Sequence, residues 1–129
     1  MNDLVRVVEN NYPARGLRTL MGLSRYQLRR LLDAAVAAVF EVSIEELQAS
    51  TRRSTRAAFA RQVAMYLAHV VCGLSLTEVG VLFTRDRTTV AHACSVVEDR
   101  RDDPALDGRL EHLERAVACL IDALFARRG

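Results

Sequence analysis

From Ser24 onward, apolar residues recur every three or four positions. Leu28, Leu31, Leu32, Ala35, Val36 and Val39 fall on one helical face. Ser24 and Gln27 precede them as a capping box, the hydroxyl accepting from first-turn N–H groups while Gln reaches back. Ser43 with Glu46 repeats the box and opens a short helix, "SIEELQ". A long helix is predicted from about Arg56 to Cys72, with Phe59, Val63, Tyr66, Leu67 and Val70 inward and Gly73 at its stop. Ser75 and Glu78 make a third box opening "SLTEVGVLF", which carries Gly80 in its interior. Such a Gly costs roughly 1 kcal/mol against Ala, and close approach by another helix is the expected return. After a tight turn, a helix follows from about Asp86 to Asp99. The last helix, about Pro104 to Arg127, sets Leu106, Leu110, Leu113, Val117, Leu120 and Leu124 in a heptad seam, with Ile121 and Phe125 as a second strip.

No run alternates like a strand, so the expected fold is all-α: a compact helical domain with an extended C-terminal helix. Short helix, tight turn and second helix have the spacing of a helix-turn-helix. "NDLVRVVENN" predicts at most a short helix ended by Pro13 and Gly16, so residues 1–23 are set apart as an N-terminal extension to a domain over 24–129. The last helix leaves two readings open. Both apolar strips pack within the domain, or one of them meets a second copy in a homodimer.

At 129 residues and 50% hydrophobic content, the chain can bury the core of one ordinary domain. The net charge of +2 says little about partners, but its makeup says more. All 18 basic residues are Arg. Genomic base composition accounts for that in general, yet Arg is also the side chain whose planar fork suits phosphate and guanine edges. Between Glu46 and Glu78 there is no acid but four bases: Arg52, Arg53, Arg56 and Arg61. A charge run is usually only a solvated face; beside a reading helix it becomes a candidate for contact with a polyanion.

Cys72, Cys94 and Cys119 each lie in an apolar helical pattern and read as small core residues in a reducing compartment. His69 and Cys72 have ligand spacing, but no second pair completes a metal site. No cofactor is expected. The N-terminus carries acids and too short an apolar run for a signal peptide, and no window approaches the roughly 20 apolar residues of a membrane span. A soluble, cytoplasmic, nucleoid-associated protein without membrane contact is expected. Ser, His and Asp residues form no nucleophile–base pattern, so no enzyme is expected.

The distinctive stretch is "FTRDRTTVAHA", Phe83 to Ala93. An Asp at a helix start is ordinarily an N-cap, worth about 1 kcal/mol. Two β-branched Thr in the first helical turn are a poor choice for helix formation alone. A His on a helix face is ordinarily half-buried. The same residues also suit base reading, because Asp accepts from a cytosine amino group and a Thr methyl packs on a thymine methyl.

"RDRTTVAHAC", Arg85 to Cys94, resembles the R-D-H-T-T-V-x-H-A-C motif of the DnaA C-terminal DNA-binding domain family, from the bacterial replication initiator. "STRRSTRAAFARQVAMYLA", Ser50 to Ala68, is similar to the family's Arg/Ser-rich loop leading to A-R-P-R-Q-x-A-M-x-L-A, and "GLSLTEVG" to its helix-turn-helix entry. The similarity covers roughly Tyr26 to Arg115. It implies sequence-specific binding of double-stranded DNA at a DnaA-box-like site, in a regulator of transcription or replication. No G-x-x-x-x-G-K-[ST] loop occurs in the sequence, so no nucleotide binding, ATP-driven assembly or origin melting is expected.

By the resemblance, Arg53 enters the minor groove from an acid-free loop to which Arg52 and Arg56 add charge. Arg61 and Gln62 meet phosphates, as do main-chain groups at Leu76 and Thr77. Asp86, Arg87, Thr88 and Thr89 read bases, with Arg85 and His92 on or near phosphates. Three positions depart from the family pattern. Arg87 replaces its His, and Arg prefers guanine O6 and N7. The turn "FTRD" is one residue shorter than F-G-G-R-D and lacks its paired Gly. Ala60 replaces a Pro, a change expected to loosen the helix start. The altered turn, the modest charge and the apolar last helix support a second reading: a protein-interaction module that keeps the fold without DNA binding.

Overall fold

A computed structural model describes residues 25–49 and 54–128, the last four through their backbone alone. Among them lie six helices and no strand: α1 (Arg25–Phe40), α2 (Ile44–Gln48), α3 (Thr55–Val70), α4 (Leu76–Phe83), α5 (Arg87–Arg100) and α6 (Pro104–Arg128). The all-α expectation holds. Residues 1–23 and the cap expected at Ser24 lie outside the described residues.

Helix α3 is the hub. Its Ala57, Ala60, Val63, Ala64, Tyr66, Leu67 and Ala68 are all essentially inaccessible to solvent, so it is covered on several sides. It packs against α1, α2, α4 and α5. The run of Ala lets neighbouring backbones come close, and the covering helices supply the larger side chains: Leu28, Leu32, Val36 and Phe40 from α1, Val90 and Val97 from α5. Phe40 and Phe59 meet edge to face, with centroids 5.7 Å apart.

Local signals set the helix ends. The boxes at Ser43/Glu46 and Ser75/Glu78 are both complete. Ser54 caps α3, its Oγ accepting from the Ala57 N–H at 3.0 Å. Gly73 stops α3 with φ of 74°, and Glu41 and Thr84 are non-glycine residues held at positive φ.

Three expectations need correction. The seam of α6 runs through Leu106, Leu110, Leu113, Val117 and Ile121, all buried, whereas Leu120 is 48% exposed. A straight helix turns about 100° per residue, so a heptad seam drifts; after Val117 the inward position passes from Leu120 to Ile121. Ala60 does not loosen a helix start. It lies fully buried in the second turn of a helix that already begins at Thr55, where a Pro would have no N–H to offer the preceding turn. The nearest neighbour of Gly80 is the turn backbone at Arg85, with Arg87, the first residue of the next helix, farther off.

A buried polar network closes the fold. Arg101, just past α5, donates through Nε to Asp107 at 2.5 Å, and through Nη1 to the Tyr66 hydroxyl at 3.1 Å and to Glu114. Burial works against the Arg101 charge, but the hydrogen bond to Asp107 and the Glu114 charge more than offset this and hold it protonated. The network joins α3, the end of α5, and α6.

Candidate nucleic-acid interface

The N-terminal tip of α5 follows from two local features. Val90, Ala93, Cys94 and Val97 face the core and fix the rotation of the helix, which leaves its first turn outward. Arg85, Asp86, Arg87, Thr88 and Thr89 are consequently all exposed, and so is His92, for which a half-buried place was the ordinary expectation. Asp86 takes the N-cap position, with φ −67° and ψ 150°, yet its carboxylate makes no bond to the first-turn N–H groups. The cap position is as expected, but the cap bond is missing. The carboxylate is therefore directed to solvent.

The turn holding this tip is tight. Thr84 adopts φ 55° and ψ 53°, a left-handed conformation unfavourable to a β-branched residue. Its N–H bonds the Gly80 and Val81 carbonyls, and the Arg85 N–H donates to the Gly80 oxygen at 2.9 Å. A Cβ on Gly80 would stand 2.6 Å from the carbonyl oxygen of Arg85. The glycine thus serves close passage of the turn over α4. From the far side, Arg29 of α1 stacks its guanidinium 4.3 Å from the centre of the Phe83 ring and pairs with Asp33 at 3.0 Å. Burial pushes the Asp33 carboxyl up, against the opposing pull of Arg29.

At the start of α4, the capping box consumes the Glu78 and Ser75 N–H groups. The main-chain N–H groups of Leu76 and Thr77 occupy the first two helical positions, which have no intrahelical acceptor. Leu76 itself is half-buried and packed on the core, so any contact it makes outward is through its backbone; Thr77 is exposed.

Arg61 reaches from α3 to the residues leading into the Arg-rich segment. Its Nη1 donates to the Glu46 carbonyl at 3.1 Å and to the Ala49 carbonyl at 3.2 Å. With Ser54 capping α3, both flanks of residues 50–53 are held. Arg52 and Arg53 themselves lie outside the described residues.

An open groove of about 540 Å³ runs between α3 and α5. It brings together Arg61, Gln62, Arg85, Thr89 and His92, and the described residues lining it include no acid. Thr77, Asp86 and Arg87 share an adjoining shallow hollow with Thr84 and Arg85. Arg56 stands apart from both, in a separate hollow beyond Phe59. One groove-lining cation escaped sequence reasoning. Arg100, at the end of α5, stacks 4.2 Å above the centre of the Phe59 ring. The two residues are far apart in sequence, so no local pattern could have flagged the pair.

His69 and Cys72 do not converge on a site: the His69 ring bonds the Leu74 carbonyl through Nδ1 at 2.7 Å, and Cys72 is buried. No helix among the described residues is long and apolar enough to cross a membrane.

A family model for the helix-turn-helix of the bacterial DnaA protein matches residues 31–97, from within α1 through most of α5. The chain is 32% identical over 100 residues to the chromosomal replication initiator protein DnaA of Desulfotalea psychrophila, covering 77% of this chain and 21% of that protein. It is 40% identical over 72 residues to chromosomal replication initiator protein DnaA 2 of Chlamydia trachomatis, covering 56% of this chain and 16% of that one. The chain thus spans about a fifth of the length of the curated relatives it matches.

Proposed function

The chain belongs to the bacterial DnaA helix-turn-helix family, and from that premise we propose that it binds double-stranded DNA at a preferred sequence through the tip of α5. The observation that carries this reading is the tip itself. Five consecutive polar residues, Arg85 to Thr89, are exposed at the start of the second helix of a helix-turn-helix. That is the part of such a motif that meets base edges in the major groove.

In this reading Asp86, Arg87, Thr88 and Thr89 discriminate bases. Arg85, His92, Gln62 and Arg61 sit along the phosphates in the groove between α3 and α5, and the Leu76 and Thr77 main-chain N–H groups take a further phosphate. Arg52, Arg53 and Arg56 supply charge, with Arg53 in the adjacent minor groove. Arg87 stands where the family has His, so the preferred site differs from a DnaA box by favouring guanine at the position Arg87 faces. The relatives are named as replication initiators, and the proposed role is regulatory: occupancy of DnaA-like sites in control of replication or of transcription.

The test is selection of bound sequences from random duplex DNA with the purified chain. One enriched motif is expected, and Arg87→His should shift it toward the DnaA box. Absence of enrichment, with no salt-dependent shift of any duplex, would leave the interaction-module reading instead.

A further inference from the structure

We propose that Arg100 is a phosphate-gripping residue, held ready by Phe59 and placed beyond the reading tip of α5. The assignment rests on the DNA-binding reading above and extends its contact surface to a position no motif marks.

Arg100 follows Thr89 by eleven positions on one continuous helix. Eleven residues make just over three whole turns, so the two side chains lie on nearly the same face, about 16 Å apart along the axis. The major groove is only about 8.5 Å deep. With the first turn of α5 at the bases, Arg100 stands outside the groove, at the level of the sugar–phosphate backbone.

Its surroundings fit that ligand. Arg100 is exposed, and the described residues offer it no acidic partner in a salt bridge. Instead the guanidinium rests on the Phe59 ring, 4.2 Å from its centre. Phe59 is buried and is itself held edge to face by Phe40. A stacked guanidinium keeps its N–H edge available while losing much of the rotamer freedom that an exposed Arg otherwise gives up on binding. The α3–α5 groove reaches from Arg85 and His92 at one end to Arg100 at the other. On the far side of Phe59, Arg56 and Arg109 stand with Arg100 against the acids Glu41 and Asp103, leaving one net positive charge there. Ser54, the cap of α3, lies on the rim of the same groove. A phosphate strand entering past His92 and leaving beside Ser54 would therefore pass Arg100.

Binding of the purified chain to a fixed duplex is measured by fluorescence anisotropy across a salt series. Arg100→Ala should weaken binding about tenfold and flatten the log–log salt slope by about one counterion. The loss should be the same for the selected site and a scrambled duplex, because a phosphate carries no sequence. Arg100→Lys should restore the slope while recovering only part of the affinity. Arg100→Gln gives a second neutral variant, and helicity by circular dichroism shows that each variant is folded. Wild-type slope and affinity in both neutral variants, or a loss confined to one sequence, overturns the assignment. Failure of the wild-type chain to bind any duplex would instead overturn the DNA-binding reading beneath it.

Discussion

Two glycines in helices should respond to the same substitution with opposite sign. In a helix interior, Gly→Ala ordinarily adds about 1 kcal/mol, through helix propensity. Gly108 in α6 has nothing within 4 Å of where a Cβ would stand, so Gly108→Ala should realise that gain in full. For a chain of this size that is a rise in Tm of about 4 °C. Gly80 has the Arg85 carbonyl oxygen 2.6 Å from the same point, about 0.8 Å inside ordinary contact. The obstacle is backbone and cannot rotate away. It is also tied down, since the Arg85 N–H bonds the Gly80 oxygen at 2.9 Å. Overpacking of this kind costs about 1–3 kcal/mol, which cancels or exceeds the propensity gain. Gly80→Ala should therefore be destabilised by about 1 kcal/mol net, some 2 kcal/mol below Gly108→Ala. Where the turn yields, Arg85 to Thr89 shift with it. Loss of one well-made base contact, about 1–3 kcal/mol, should then appear in specific DNA binding. Urea denaturation of both variants, followed by anisotropy on the selected duplex, makes the comparison. Equal stabilisation of the two, with unchanged binding, would refute the claim that the turn needs a glycine beneath it.

Thr84→Gly should stabilise the fold by about 0.5–1 kcal/mol. The relief of a left-handed L-residue, about 1–2 kcal/mol, exceeds the added chain entropy, about 0.4–1 kcal/mol, and a higher urea midpoint at unchanged m-value would register it. Arg101→Ala should cost about 3–5 kcal/mol by leaving Glu114 buried beside no cation, and Arg101→Met with Glu114→Leu should recover most of it in a double-mutant cycle. Of the three cysteines, only Cys119, which is exposed and not the core residue its pattern suggested, should react with a thiol reagent at pH 8 in the native chain. Cys72 and Cys94 are buried, with the Cys94 thiol pushed up to about 12 by burial and then by Glu98, so these two should react only in denaturant.

What the sequence revealed follows the range over which its signals act. The boxes at Ser43 and Ser75 and the stop at Gly73 are written within three or four residues, and the structure has them as expected. The inward faces of α1 and α3 are periodic and were equally plain. The α6 seam was legible only to Val117, because a strict heptad and a straight helix part company over four turns. Gly80 announced a close approach, but the identity of its neighbour depends on how a shortened turn folds back. The tip at Asp86 to Thr89 was visible through its family motif. The Arg100–Phe59 stack and the Arg101–Tyr66–Glu114 cluster join residues from distant helices, and no spacing rule reaches that far.

The Arg101 cluster bears on where the chain can be cut. The match to the DnaA helix-turn-helix family model ends at residue 97, before Arg101 and before all of α6. Expression limited to that segment would strip Tyr66 of its hydrogen-bond partner and bare the apolar side of α1 that the last helix covers. Excision at the borders of that match would yield a sticky, half-closed fragment, so the smallest piece worth purifying must retain the terminal helix through Ile121.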